Sequence, residues 1–464
     1  MNKEKINDAG IKENPLGTKP LGRLLLSLAV PAIIANVVSA LYNIVDQIFI
    51  GQGVGKLGNA ATSVSFPLTT ICLAIGLMVG LGSASGFNLE LGKKNEDKAK
   101  KIAGTAVGIL VISGVVLCII VRVFLKKLLV MFGATDSIMP FAEQYAGITL
   151  FGIPFLIFST GINPLVRADR SPTYSMVSIV TGAVLNTVLD PIFIFVFHWD
   201  MAGAAWATVI SQIISALMLV LYFPRFKSVH FTLRDFLPHA RETFDICRLG
   251  FNSFIFQFSN LLVQVILNNA LRIYGEASIY GSETPIAVAG IVMKINVIFT
   301  SFIIGIINGA QPICSYNYGA KKYSRVRGTV KLFLISSAIV SVIFWAAFEI
   351  FPRQIISLFG TDGDELYFEF AIKFMRVFLF FVFLNGVQIC SATFFPSIGK
   401  ALKGAVISLS KQVVLLVPLI LILPRFMGLD GIMYAQPITD LTAFLFSAAM
   451  LAFEMKRMPK EDGQ

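Results

Sequence analysis

Apolar runs long enough to cross a bilayer follow one another along almost the whole chain. One of them, IAGTAVGILVISGVVLCIIV at 102–121, contains no charge at all. Runs of about 20 apolar residues read as membrane-spanning helices, because a helix rising 1.5 Å per residue then covers the hydrocarbon core. Segments of this kind lie near 24–50, 59–91, 102–125, 138–166, 172–197 and 202–224. A second set lies near 244–274, 284–317, 327–350, 363–395, 401–423 and 430–455. Only 14% of the residues are charged and 56% are hydrophobic, where a soluble protein carries about a quarter charged. The expected fold is an all-α polytopic membrane protein of twelve transmembrane helices, with the lipid bilayer as its surroundings.

Orientation follows from the basic residues, which collect in cytoplasmic loops. With the N-terminus inside, the inner segments hold 27 Lys and Arg, from Lys3, Lys5 and Lys12 through the cluster GKKNEDKAKK at 92–101 to Lys460. Arg167 and Arg170 are counted among them. The outer segments hold seven. Both termini are therefore expected in the cytoplasm. The same asymmetry accounts for the net charge of +11, so no nucleic-acid partner is expected. The opening residues are polar and read as a cytoplasmic tail at 1–23. Six-helix bundles follow at 24–224 and 244–455, joined by a cytoplasmic linker at 225–243, with a second tail at 456–464.

The two halves repeat at an offset near 227. MFGATD at 131–136 matches LFGTD at 358–362, and MAGAAWATVIS at 201–211 matches LDGIMYAQPIT at 429–439. Six spans per half is an even number, so both halves run the same way. Parallel repeats of this kind are typical of secondary transporters whose halves rock about a central cavity. No GxxxxGK[ST] and no HExxH occurs, which removes support for an ATP-driven pump or a zinc enzyme. No catalytic set and no cofactor is expected. The five cysteines show no paired spacing and the three histidines no metal motif.

Ionised carboxylates are costly in a membrane and mark ion pathways or paired partners. Asp46 lies about 33 Å along the first span from inside and Asp190 about 27 Å along the fifth, while Thr208 lies about 9 Å down the sixth from outside. The three are expected at one depth. Asn186 precedes Asp190 by four residues and shares its helix face. Pro191 lacks an N–H, which frees the carbonyl of Thr187. These groups suit a hard cation such as Na+, or a proton shared between carboxyls. The bland alternative is a polar knot that only fixes helix packing. In the second half Lys294, Lys411 and Asp440 all fall near mid-span. Unpaired, each would cost at least about 2.5–3.5 kcal/mol, so Asp440 is expected to pair with Lys411 or Lys294.

Several stretches resemble the multidrug and toxic compound extrusion (MATE) transporters, most closely the MepA-type multidrug export branch. They are PAIIANVVSALYNIVDQIFIG at 31–51, LNTVLDPIFIF at 185–195, GAAWATVIS at 203–211 and NGAQPICSYNYGAKK at 308–322. The likeness runs from Leu21 to Arg457. It implies two pseudo-symmetric six-helix bundles in a V around a drug cavity, and exchange of H+ or Na+ for drug. It also implies that Asp46, Asn186, Asp190 and Thr208 form the cation site of the N-terminal half. The chain departs from the pattern in its seventh span, FNSFIFQFSNLLVQVILNNA, where some members place an acid and this one has only Asn and Gln.

The expected function is efflux of small organic cations across a bacterial cytoplasmic membrane by a monomer. A lipid-linked oligosaccharide flippase and a non-transporting scaffold are the alternatives. A flippase is expected to carry more cationic residues in its cavity, and only Lys294 and Lys411 offer themselves. The glycines of the second span, Gly76, Gly80, Gly82 and Gly86, are expected to permit close helix packing. Gln311-Pro312 is expected to kink the eighth.

Overall fold

A computed structural model describes residues 14–281, 283–359 and 365–463. Lys3, Lys5 and Lys12, most of the LFGTD repeat and the expected start of the tenth span lie outside the described residues. Among those residues eleven helices are long and apolar enough to span a bilayer, and a bent pair makes a twelfth. They are α1 (Leu21–Gly53), α2 (Leu57–Gly92), α3 (Glu96–Met131), α4 (Met139–Ala168), α5 (Pro172–Val196) and α6 (Asp200–Arg225) in the first half. The second half has α7 (Ala240–Glu276), α8 (Glu283–Gly319), α9 (Tyr323–Ile350), α11 (Ala401–Met427) and α12 (Leu429–Arg457). Between α9 and α11, α10 is the pair Glu365–Phe378 and Val382–Ser397, bent by 46°.

Local chemistry sets several boundaries. Asn95 caps α3 by accepting from the Lys98 N–H at 3.2 Å. Glu96 and Asp97 follow in the first turn, where the helix dipole favours acids. Lys456 and Arg457 close α12 at its negative end. After Pro191, α5 loosens into a π turn at Ile192–Val196, and α11 carries a longer π segment at Ser410–Leu416.

The halves share one packing scheme. α1 lies on α5 as α7 lies on α11, and α2 lies on α3 and α4 as α8 lies on α9 and α10. Each half buries its own apolar core. The first turns of α1 are an exception, because Leu24, Leu25 and Leu28 belong to the core of the second half. An even number of spans brings the described N-terminal residues, the inter-half linker and the C-terminus to one end. We call it the basic end.

At the basic end the halves touch backbone to backbone. A Cβ on Gly250 of α7 would lie 1.7 Å from the Met78 carbonyl oxygen of α2, and one on Gly82 would lie 2.1 Å from the Ile246 carbonyl oxygen. α1 and α8 meet in the same way through Gly305 and Gly309, against Ile33 and Ala29. Gly80 faces the other way, onto the Gly161 carbonyl of α4. Alternate glycines of α2 thus serve packing within a half and packing between halves. Gln311 ties α8 to α2, donating to Ser85 Oγ at 2.7 Å and to the Leu81 carbonyl at 3.3 Å. The segment before α1 is held to the second half as well. Arg325 donates to the carbonyls of Leu16 and Lys19 at 3.2 and 2.7 Å, and Lys322 to that of Gly17 at 3.1 Å.

The linker after α6 is strapped to α3. Gly104 and Gly108 leave room for the carbonyls of Asp235 and Phe236, and Lys100 pairs with Asp235 at 2.9 Å. Farther back, buried Asp169 accepts from the Lys227 and Ser228 amides at 2.7 and 2.9 Å and from the Tyr222 hydroxyl at 2.7 Å.

Candidate functional site

A cavity of about 410 Å³ opens between the halves. Its walls come from both halves, among them Tyr42 and Asn186 on one side and Asn252 and Gln388 on the other.

Behind the first-half wall the structure gathers the four residues singled out in the sequence. Asn186, on α5, donates to Asp190 Oδ1 at 3.3 Å and to Thr208 Oγ1 of α6 at 3.4 Å. Asp46, on α1, lies within hydrogen-bonding reach of Asp190. Asp190 is fully buried and Asn186 is 2% exposed. Asp46 Oδ1, Asp190 Oδ2 and Asn186 Oδ1 have no hydrogen-bond partner among the described residues. Three orphaned oxygens around two adjacent carboxyls form a cage that a hard cation fits by chemistry. Two like charges this close repel, so a shared proton or a bound cation is what relieves them. Asn186 and Thr208 also line the cavity, whereas neither carboxyl does. The acids sit one layer behind the cavity wall, and Asn186 faces both ways.

Two residues at this site went unseen in the sequence. Tyr145 of α4 lies close to Thr208, and both it and Tyr42 sit close to the carboxyls. No spacing connects Tyr145 to α1 or α5, and an aromatic residue in an apolar span carries no mark of its own.

The second half has a different arrangement at its fifth helix. Lys411, in the π segment of α11, pairs with Asp440 of α12 at 3.0 Å. Lys411 also donates to Asn385 Oδ1 at 2.6 Å, and the Asn385 amide donates to Asp440 Oδ2 at 3.3 Å. Gln436, which follows Gly431 as Thr208 follows Gly203, donates to Asp440 Oδ1 at 3.0 Å. Lys294 takes no part. It is half-buried on α8 with no ion-pair or hydrogen-bond partner among the described residues. Two of the Asn residues of α7 tie it to its neighbours. Asn252 accepts from Ser408 at 2.7 Å and donates to the Ala392 carbonyl at 3.1 Å, and Asn260 accepts from Gln412 at 2.7 Å.

The structure revises a sequence expectation about charge. Arg167, counted with the loop residues of the basic end, is buried in the last turn of α4 and lines the cavity. The cavity wall has no carboxylate among the described residues. The five cysteines are free, and no group of three or more His, Cys, Asp and Glu forms a metal cluster among the described residues.

Comparison with known proteins fits this picture. The MatE family model matches residues 31–192 and 253–422. Among curated relatives, the multidrug export protein MepA of Staphylococcus aureus (strain MSSA476) is 25% identical over 439 residues, covering 94% of each chain. That of Staphylococcus haemolyticus (strain JCSC1435) is 23% identical over 435 residues, again covering 94% of each. A solved outward-facing conformation of a multidrug resistance MATE family transporter of the MOP superfamily superposes with a TM-score of 0.90. It is 23% identical, and the alignment covers 99% of this chain and 100% of that one. With two matching blocks spread over both halves and the same fold throughout, the chain belongs to the MatE family.

Proposed function

We propose that the chain is a secondary active multidrug efflux transporter, exchanging H+ or Na+ for small cationic amphipathic drugs by alternating access. The observation that carries this reading is the carboxyl pair Asp46 and Asp190, set directly behind a drug-sized cavity and connected to it by Asn186 and Thr208. Cavities of about 300–1,000 Å³ suit small organic ligands. The relatives, which are multidrug export proteins, support the same reading. A cation or proton entering between the carboxyls removes their repulsion and lets Asp46 and Asp190 draw together. Asn186 then changes partners at the cavity wall, so that loading the cation site and holding the drug oppose each other. In this assignment the protein works as a monomer in a bacterial cytoplasmic membrane with both termini cytoplasmic. The basic end is then the cytoplasmic end, and the described conformation is closed toward the cytoplasm.

The test is efflux of a fluorescent organic cation from proteoliposomes, with proton and sodium gradients imposed separately. Wild type is expected to respond to one of them. Asp46→Asn and Asp190→Asn are each expected to abolish the response while the protein stays folded, because shape and most hydrogen bonding are kept. Near wild-type gradient-driven efflux by Asp190→Asn would sink the assignment. The alanine variants of Asn186 and Thr208 are expected to raise the cation concentration needed for half-maximal transport.

A further inference from the structure

Arg167 is the one charged residue among the described residues that line the cavity. It is 8% exposed, and its side chain has no ion pair among the described residues. A guanidinium carries five N–H donors. One hydrogen-bond partner is found, Ser175 Oγ, which accepts from Nη1 at 3.2 Å. That hydroxyl is itself fixed, because Ser175 and Ser178 both donate to Asn163 Oδ1, at 2.8 and 3.1 Å. The neighbouring wall is neutral and polar, with Ser159, Asn163, Ser211 and Ser215. The guanidinium is thus oriented from behind, buried, and turned toward an empty volume with most of its donors free. Burying an unpaired charge is strongly unfavourable. The natural partner of a planar guanidinium is a carboxylate or phosphate, which it grips with two parallel hydrogen bonds.

We infer that Arg167 is the anion-binding point of the substrate cavity, taking the oxyanion of an amphipathic molecule that enters between the halves. This rests on the reading of the cavity as the substrate site and names a class of substrate for it. Arg167 meets α5 at Ser175, eleven residues before Asn186, so its oxyanion lies about 16 Å from the cation-site wall. That is the length of a drug-sized zwitterion, its acid on Arg167 and its basic end near Tyr42, Asn186 and Thr208. A phosphate-bearing lipid offers the guanidinium the same chemistry.

The experiment is equilibrium binding to the full-length protein in nanodiscs, which needs no ion gradient. The probes are a fluorescent zwitterionic quinolone carboxylic acid and its methyl ester, which keeps the basic amine and loses the anion. Wild type is expected to bind the acid at least about tenfold more tightly than the ester. Arg167→Gln is expected to erase that preference and leave ester affinity within about twofold. Arg167→Lys, which keeps charge but not the planar fork, is expected to fall between them. Dodecyl phosphate and dodecanol are run as competitors. Displacement of the ester by dodecyl phosphate but not dodecanol, lost in Arg167→Gln, assigns the site to phosphate-bearing lipids; an acid preference without it assigns the site to carboxylate drugs. Where Arg167→Gln fails to fold, the wild-type comparisons decide alone. An acid-to-ester ratio near one together with no phosphate selectivity, or either preference persisting in Arg167→Gln, overturns the inference. Loss of gradient-driven organic-cation efflux in proteoliposomes, with the acid preference intact, would instead sink the antiport assignment.

Discussion

Replacing Gly250 by alanine adds a single methyl group where the two halves meet. The new Cβ would stand 1.7 Å from the Met78 carbonyl oxygen and 2.6 Å from its carbon. Both belong to the α2 backbone, which cannot turn aside as a side chain would. Real Cβ atoms essentially never come within 3.0 Å of such an atom, so α2 and α7 must part by about 1.3 Å at this level. Such overpacking typically costs about 1–3 kcal/mol. Charged against one conformation of a two-state equilibrium, that is a shift of about 5–150-fold in population. The conformation sealed at the basic end is therefore expected to lose ground. Spin labels at Glu96 and Lys456, exposed positions on the two halves, introduced after replacing the five cysteines, read the separation directly. Gly250→Ala is expected to add a population at longer distance and to lower the melting temperature of the sealed form. Gly290→Ala is the control, since a Cβ there meets nothing within 4 Å. A distance distribution unchanged from wild type, together with an unchanged melting temperature, would refute the assignment of Gly250 to a sealed contact.

Three further outcomes follow from the geometry. Asp440→Asn leaves the Lys411 ammonium buried without its counter-charge and is expected to destabilise the protein by about 3–5 kcal/mol; the double variant Asp440→Leu with Lys411→Met is expected to recover most of this in a thermal-unfolding assay, and equal loss in single and double variants would refute the pairing. Neutralising Lys294 together with Asp440 is expected to recover nothing, since Lys294 lies outside the network, and rescue by that pair would overturn the assignment of the partner. Asp235 is held down to about 2 by its hydrogen bonds from Lys100, the Thr232 amide and the Thr232 hydroxyl. A depressed carboxyl contributes stability above its unfolded value, near 3.9, and loses it as pH falls toward 2. Protease cutting in the linker is therefore expected to stay flat from pH 8 down to about 4, and a rise between pH 7 and 5 would refute the strap.

Much of the molecule was legible in its sequence because membrane insertion writes itself into composition. Long uncharged runs have one use, and the rare charges within them stand out. Asp46, Asn186, Asp190 and Thr208 were legible because depth along a helix is counted in residues, and equal depth on three spans predicts a meeting. What depth does not give is azimuth. Tyr145 lies beside the carboxyls only because α4 turns that face inward, and nothing in an apolar span records the turn; Tyr42, four residues before Asp46, shares that residue's face, a spacing the sequence did carry. Arg167 was hidden by its neighbours. It stands just before Asp169 and Arg170, a polar pair that reads as a loop, yet α4 runs on through Arg167 and ends only at Ala168. The choice between Lys294 and Lys411 as partner of Asp440 depended on which helix packs against α12, and both lysines sit at similar depth. Asn385 and Gln436, the neutral members of that network, gave no signal beyond being polar in a span.

The strap that holds the linker to α3 changes how motion between the halves must be pictured. His239 still donates its amide to Thr105 Oγ1, at 3.4 Å, and α7 begins at the next residue. No slack chain is left between the halves, so the second half cannot swing as a weight on a rope. It pivots where α7 leaves its anchor. α7 has 37 residues and is a rigid arm about 55 Å long. A tilt of about 10° at its foot carries the far end through about 10 Å, by the geometry of a helix of that length. A backbone shift at the basic end no larger than an added methyl group demands is thus magnified several-fold at the opposite mouth.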